Sequence, residues 1–157
     1  MKLTPQLKAA QEQMKPGVIS RDGFLGTDLR TVADILIADD AEVQRLEMTH
    51  RQLAKRMRDL FQAGKKGLGD PIDVEDNFEV TVTSHRGKMP CPFGHAGIFR
   101  KTVVTVLNKK LNKTVKFTEL GIHLIEKHGF YQGLGATYRL SPQDIVTILE
   151  VPNNESA

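Results

Sequence analysis

The apolar residues of this chain change their period near Gly64, and that change limits the folds open to it. Before it they recur at helical spacing: Leu29, Val32, Ala33, Leu36 and Ile37, then Leu53, Met57, Leu60 and Phe61. After it Phe78, Val80 and Val82 alternate with Glu79, Thr81 and Thr83, the period of a strand with one buried face. A helical first half followed by strands is an α+β arrangement rather than the strand–helix alternation of a parallel sheet. The expected fold is a set of N-terminal helices packed on a small antiparallel sheet, with a helix after a β-hairpin.

Local signals set the expected elements. Residues 1–20 read as a flexible arm holding a short helix from Pro5 to Met14, ended by Pro16-Gly17. Thr27 or Asp28 caps the next helix; Asp39-Asp40 interrupts it and starts a short one over Ala41 to Glu47. Thr49 and Gln52 form a capping box, and Gly64 ends the helix they open. A Gly-rich, acidic loop follows to Asp76, and His85-Arg86-Gly87-Lys88 reads as a turn. From Phe99 to Phe117 two readings compete. Phe99, Val103, Val106, Leu107 and Leu111 fit a helix, whereas the β-branched run Thr102 to Val106 and the later Thr114-Val115 fit two strands reversing at Asn108 to Asn112. The hairpin is preferred. Thr118 caps a helix that Gly129 stops, Tyr138-Arg139-Leu140 reads as a short strand, and Ser141-Pro142 opens a last helix or strand. Residues 21–151 form one expected domain, and residues 152–157 a frayed tail.

With 157 residues the chain is one domain by size. It has no run of 18 apolar residues, so no membrane partner is expected, and Met1 to Ser20 lacks the apolar core of a secretory signal. A single cysteine excludes an internal disulfide, which points to the reducing cytoplasm. There is no Trp, so aliphatic side chains and seven Phe must build the core.

The net charge is only +3, but it is segregated. No acidic residue lies between Glu79 and Glu119, an interval that carries Arg86, Lys88, Arg100, Lys101, Lys109, Lys110, Lys113 and Lys116. Acids gather at 28–47 and 70–79 instead. The leading expectation is a non-catalytic cytoplasmic binding protein that presents the basic hairpin side, residues 80–118, to an acidic protein or nucleic acid. Arg139, near a Gly-rich loop, joins Arg86, Lys88, Arg100, Lys101, Lys109 and Lys110 as a candidate anion contact. The helix after Thr49 carries Arg51, Lys55, Arg56 and Arg58 and follows a short helix, the coarse outline of a helix-turn-helix reader of DNA. The bland alternative is a solvated face whose lysines meet the acidic loop of the same chain.

The stretch from His85 to His128 also holds the cysteine and four of the five histidines. Cys91 and His95 form a Cys-x3-His turn, and His123 and His128 sit near the end of the expected helix. Cysteine and histidine are zinc's preferred ligands, and four of them make a tetrahedron. A ligand turn, two strands and a helix with two histidines resemble a ββα zinc finger in outline. The first pair, however, is Cys-x3-His rather than Cys-x2-Cys, and the gap from His95 to His123 is twice as long. Residues five apart also point about 140° from each other on an ideal helix. A zinc site at Cys91, His95, His123 and His128 is therefore one reading, and a metal-dependent enzyme of hydrolase type built on the same four residues is the alternative. In others, Cys91 is a thiolate activated by His95 or His85, or all four are ordinary core and surface side chains. The loops Gly129 to Gly135 and Gly64 to Gly69 leave helix C-termini, the wrong end for a phosphate site.

One resemblance covers the C-terminal half. Pro90-Cys91-Pro92-Phe93, Lys101, the run Phe117 to Phe130, Gly133-Leu134-Gly135-Ala136 and Tyr138 to Pro142 resemble a group of uncharacterised small bacterial proteins described only as cytosolic. The resemblance implies cytoplasmic placement and a hairpin followed by a helix. It carries no activity.

Overall fold

A computed structural model describes residues 3–152 of the chain. Five helices and a four-stranded antiparallel sheet make an α+β fold: α1 Pro5–Gln13, α2 Val32–Arg45, α3 His50–Gly64, β1 Ile72–Val74, β2 Phe78–Pro90, β3 Ile98–Asn108, β4 Lys113–Thr118, α4 Glu119–His128 and α5 Pro142–Ile148. The strands lie in the order β1-β2-β3-β4, each antiparallel to the next. The β-branched run of 102–106 thus falls in a strand, and the reversal to β4 is pinned by buried Asn108, whose Oδ1 accepts from the Leu111 amide at 3.0 Å.

The long β2–β3 pair serves two cores. At one end Phe78, Val80 and Val82 face Val104 and Val106 under α3, through Leu53, Met57 and Leu60, and under α5, through Ile145 and Ile148. At the other end a second cluster gathers Phe24, Val32, Ile35, Cys91 and Phe130. α4 is the wall between them. Its Ile122 and Ile125 belong to the first cluster and its Leu120 and Leu124 to the second.

Several local expectations are corrected. The expected arm over 1–20 is, from Leu3 on, part of the second core: Met14 is fully buried, and Gln11 Oε1 accepts from the Val32 amide at 2.8 Å. α2 is capped by Thr31, not Thr27 or Asp28, and Leu29, counted in its stripe, is fully exposed. Asp39-Asp40 does not interrupt α2, because each carboxylate finds a partner outside the helix, Arg139 and His50 respectively. His85 to Lys88 is not a turn. β2 runs through it with a register shift, Gly87 taking φ 103°, and the true return is the Cys91–Gly97 loop. Tyr138 to Leu140 is irregular backbone rather than a strand, and Ser141 opens a helix rather than a strand. Of the expected frayed tail, residues 153–157 lie outside the described residues, while Val151 is buried.

Candidate metal centre

Cys91 sits where β2 ends and the loop to β3 begins; His123 is in the middle of α4 and His128 is its last residue. Strand pairing and the packing of α4 on β3 bring these remote positions together. One ligand atom from each of Cys91, His123 and His128 lies within 4.8 Å of the other two. Cys91 Sγ is 3.5 Å from His128 Nε2. The 140° offset of the two histidines is overcome by ring length and by the helix end, so the ring centroids stand 5.4 Å apart.

Aromatic packing holds the rings. Phe93 stacks on His128 at 4.2 Å between centroids and 14° between planes, and Phe99 lies 4.5 Å from His123. Burial, with His123 and His95 nearby, lowers His128 to a pKa of about 4. Burial, with His95 and Lys127 nearby, lowers His123 as well. Both imidazoles are neutral at pH 7, the state in which a ring nitrogen has a lone pair to give. Burial pushes the Cys91 thiol up, against the opposing pull of the Phe93 and His95 backbone amides. That is the wrong direction for a free nucleophile, and Cys91 is only 3% exposed, so the activated-thiolate reading loses its support.

Two observations bear on a metal. Zn–S near 2.3 Å and Zn–N near 2.05 Å at a tetrahedral angle put sulfur and nitrogen about 3.6 Å apart. The 3.5 Å from Cys91 Sγ to His128 Nε2 fits that, but it also fits a thiol–imidazole hydrogen bond. His123 separates the two readings. Its Nε2 is buried and has no hydrogen-bond partner among the described residues. A buried ring nitrogen left without a partner is an atom that a metal ion would satisfy.

His95 borders the trio without joining it. It is exposed, its Nδ1 is 3.1 Å from the Ala96 carbonyl, and its ring lies 4.9 Å from that of His123 and 5.7 Å from that of His128. His85 is exposed on β2, outside the trio.

Comparison with protein-family models, with curated proteins and with solved structures finds no match to this chain.

The remaining expected contacts are scattered. Arg86 and Lys88 on β2 and Arg100 and Lys101 on β3 share the far end of the hairpin. Lys109 and Lys110 lie past the other end of β3, and Lys109 Nζ meets Asp73 of β1 at 2.6 Å. Arg139 is no surface contact: it is spent on buried Asp39, at 2.7 and 3.0 Å. The basic face of α3 is likewise engaged. Lys55 pairs with Asp59, Arg56 with Glu75 and Arg58 with Glu126, which leaves Arg51 alone of the four without an ion pair among the described residues. The Gly129–Gly135 loop offers no anion nest either. Its Leu134 amide donates to Asp28, its Gly133 amide to the Phe24 carbonyl, and its Leu134 carbonyl accepts from the Thr27 amide.

One network escaped the sequence reading. His50 Nε2 lies 2.9 Å from Asp40 and its Nδ1 2.8 Å from the hydroxyl of buried Tyr131, tying α2 to α3 and to the loop after α4. Only the Thr49 cap hinted that His50 would be fixed, and nothing local named its partners. No helix among the described residues is long and apolar enough to cross a membrane.

Proposed function

We propose that this protein binds one Zn²⁺ ion through Cys91, His123 and His128, with His95, which stands at the edge of the trio, moving in as the fourth ligand when the ion binds, and acts as a non-catalytic binding protein. The orphaned, buried Nε2 of His123 carries this reading. Leaving such an atom unpaired costs about 1–3 kcal/mol, and an ion removes that cost. A thiolate with imidazoles is the ligand set zinc prefers. The ion would lock the Cys91–Gly97 loop onto α4, so the far end of the hairpin, with Arg86, Lys88, Arg100 and Lys101, becomes a rigid basic surface for an acidic partner in a reducing compartment.

Against the metal-dependent hydrolase stands the state of Glu126. A catalytic zinc needs an open position and a base beside it. Glu126 is held by Arg58 at 2.8 and 3.1 Å and its carboxyl is lowered chiefly by those bonds, so it is a poor proton acceptor. Glu119 is the other acid of α4, and it lines an open cleft with His123 and Arg58.

Metal analysis of protein purified without a histidine tag tests the proposal. The expected result is about one zinc per chain, absent after Cys91→Ser and retained more weakly after His95→Ala. A zinc content no higher than that of Cys91→Ser overturns it.

A further inference from the structure

Away from the proposed metal ligands, the far end of the β2–β3 pair borders a cavity of about 260 Å³ against the segment 19–24 and the loop 132–138. Its walls are mainly apolar, from Phe24, Met89, Val103 and Leu120. Gln132 opens onto it, and Gln132 is unusual in two ways. It is a polar residue only 5% exposed, its backbone carbonyl accepting from Arg139 at 2.9 Å. Its φ is 70°, a left-handed conformation that a side chain disfavours. The fold thus places a mostly buried polar residue on the cavity wall in a disfavoured backbone conformation.

The cavity rim is cationic. Lys101 and Arg100 come from β3 and His85 from β2, against one acid, Asp22. Neither Arg100 nor Lys101 forms an ion pair among the described residues, whereas Asp22 has Arg21 at 3.8 Å. An apolar chamber with a few convergent polar groups is the ordinary form of a small-molecule site. An enclosed void of about 150 Å³ holds benzene, so this one takes a ring with a short side chain.

We infer that this cavity binds a small organic carboxylate, its apolar body against Phe24, Leu120 and Val103, its carboxylate at Lys101 and Arg100, and a polar substituent on the Gln132 amide. The inference does not depend on zinc, since Cys91, His123 and His128 are not part of the cavity lining. The site would give the protein a ligand-dependent state: a bound anion bridges β3 to the loop carrying Gln132 and Tyr138.

Amide chemical-shift titration of the intact chain with 3-phenylpropionate and 3-(4-hydroxyphenyl)propionate, and with 3-phenylpropanamide as the uncharged control, tests it. The expected result is saturable shifts confined to 19–24, 100–103, 118–120 and 132–138, with a Kd at or below about 1 mM. The carboxylates should bind about tenfold more tightly than the amide. Lys101→Met, an exposed position that folding does not need, should abolish that preference at an unchanged melting temperature. Gln132→Asn, which tolerates φ 70°, should weaken the hydroxylated probe more than the plain one. Shifts spread over the basic surface, failure to saturate, or equal binding of acid and amide would each overturn the inference.

Discussion

Gly129 sets where the histidine at the end of α4 can go. It takes φ 62° at the C-cap, with its amide on the Leu124 and Ile125 carbonyls, and a Cβ there would stand 2.9 Å from His50 Nε2. Gly129→Ala therefore pays twice, for left-handed backbone and for displacing a histidine held by Asp40 and Tyr131. The expected loss is about 1–3 kcal/mol in urea unfolding, together with a shifted His50 ring resonance. A loss no larger than for Ala at an ordinary helix position would mean that His50 is free to move. Gly129 as a helix stop was legible in the sequence because left-handed caps favour glycine. Its contact with His50 was not, since it joins residues far apart along the chain. The same holds at the metal centre. Residue chemistry pointed to Cys91, His123 and His128, but only the strand register and the packing of α4 show that His95 stays at the edge while the other three converge.

At the scale of elements, caps were readable and interruptions were not. Thr49 and Gln52 make the reciprocal capping box at the start of α3, and Thr118 and Ser141 cap α4 and α5 through the amides of Gly121 and Asp144. These depend on neighbours three residues away. Thr49→Ala should cost about 1 kcal/mol, and Thr49→Ser very little, in thermal or chemical unfolding. α2 shows the opposite case. Asp39 and Asp40 are poor helix residues locally, yet the helix continues because Arg139 and His50 come from elsewhere to meet them. The Asp39–Arg139 pair is nearly enclosed, with side chains 5% and 14% exposed. Arg139→Met would leave a buried carboxylate with no cation. It should destabilise the protein by about 3–5 kcal/mol, while the double change with Asp39→Leu should recover most of that. If the double variant were no better than the single, Arg139 would matter through its bond to the Gln132 carbonyl instead. The bulge at His85 to Lys88 failed for a related reason: a turn-like sequence stays in a strand when β3 pairs on both sides of it.

For the molecule as a whole, the change of period predicted the α+β class, because helices and strands bury different faces. It could not predict that the segment from Leu3 to Ile19 and the Gly-rich loop close the second core. That closure runs through Asp28. One carboxylate oxygen accepts from the Arg30 backbone amide and Nε at 3.0 and 2.9 Å, the other from Arg30 Nη2 at 2.6 Å and from the Leu134 amide at 3.0 Å. The Arg30 side chain first, then the Leu134 and Arg30 amides, hold its carboxyl far below the ordinary carboxylate range, against the upward push of burial. A carboxylate depressed in the folded state stabilises the fold above its unfolded pKa of about 3.9 and loses that contribution as the pH falls below it. Glu75, lowered by Arg56, adds in the same direction but is half exposed and adds less. Stability should therefore begin to fall below about pH 6.5, where the unfolded chain protonates His123 and His128 while burial keeps them neutral in the fold, and fall further below pH 4 as the Asp28 contribution is lost. Asp28→Asn keeps the shape and removes the charge. Bonds from charged groups are worth about 1.5–3 kcal/mol, so the variant should be weaker than the parent by about that much at pH 7. The gap should narrow toward pH 2, where the parent's own carboxylate is being protonated. Urea midpoints of the two proteins across that range decide the matter. A gap that stays constant with pH would show that the shape of Asp28, not its charge, ties the N-terminal segment to the Gly-rich loop.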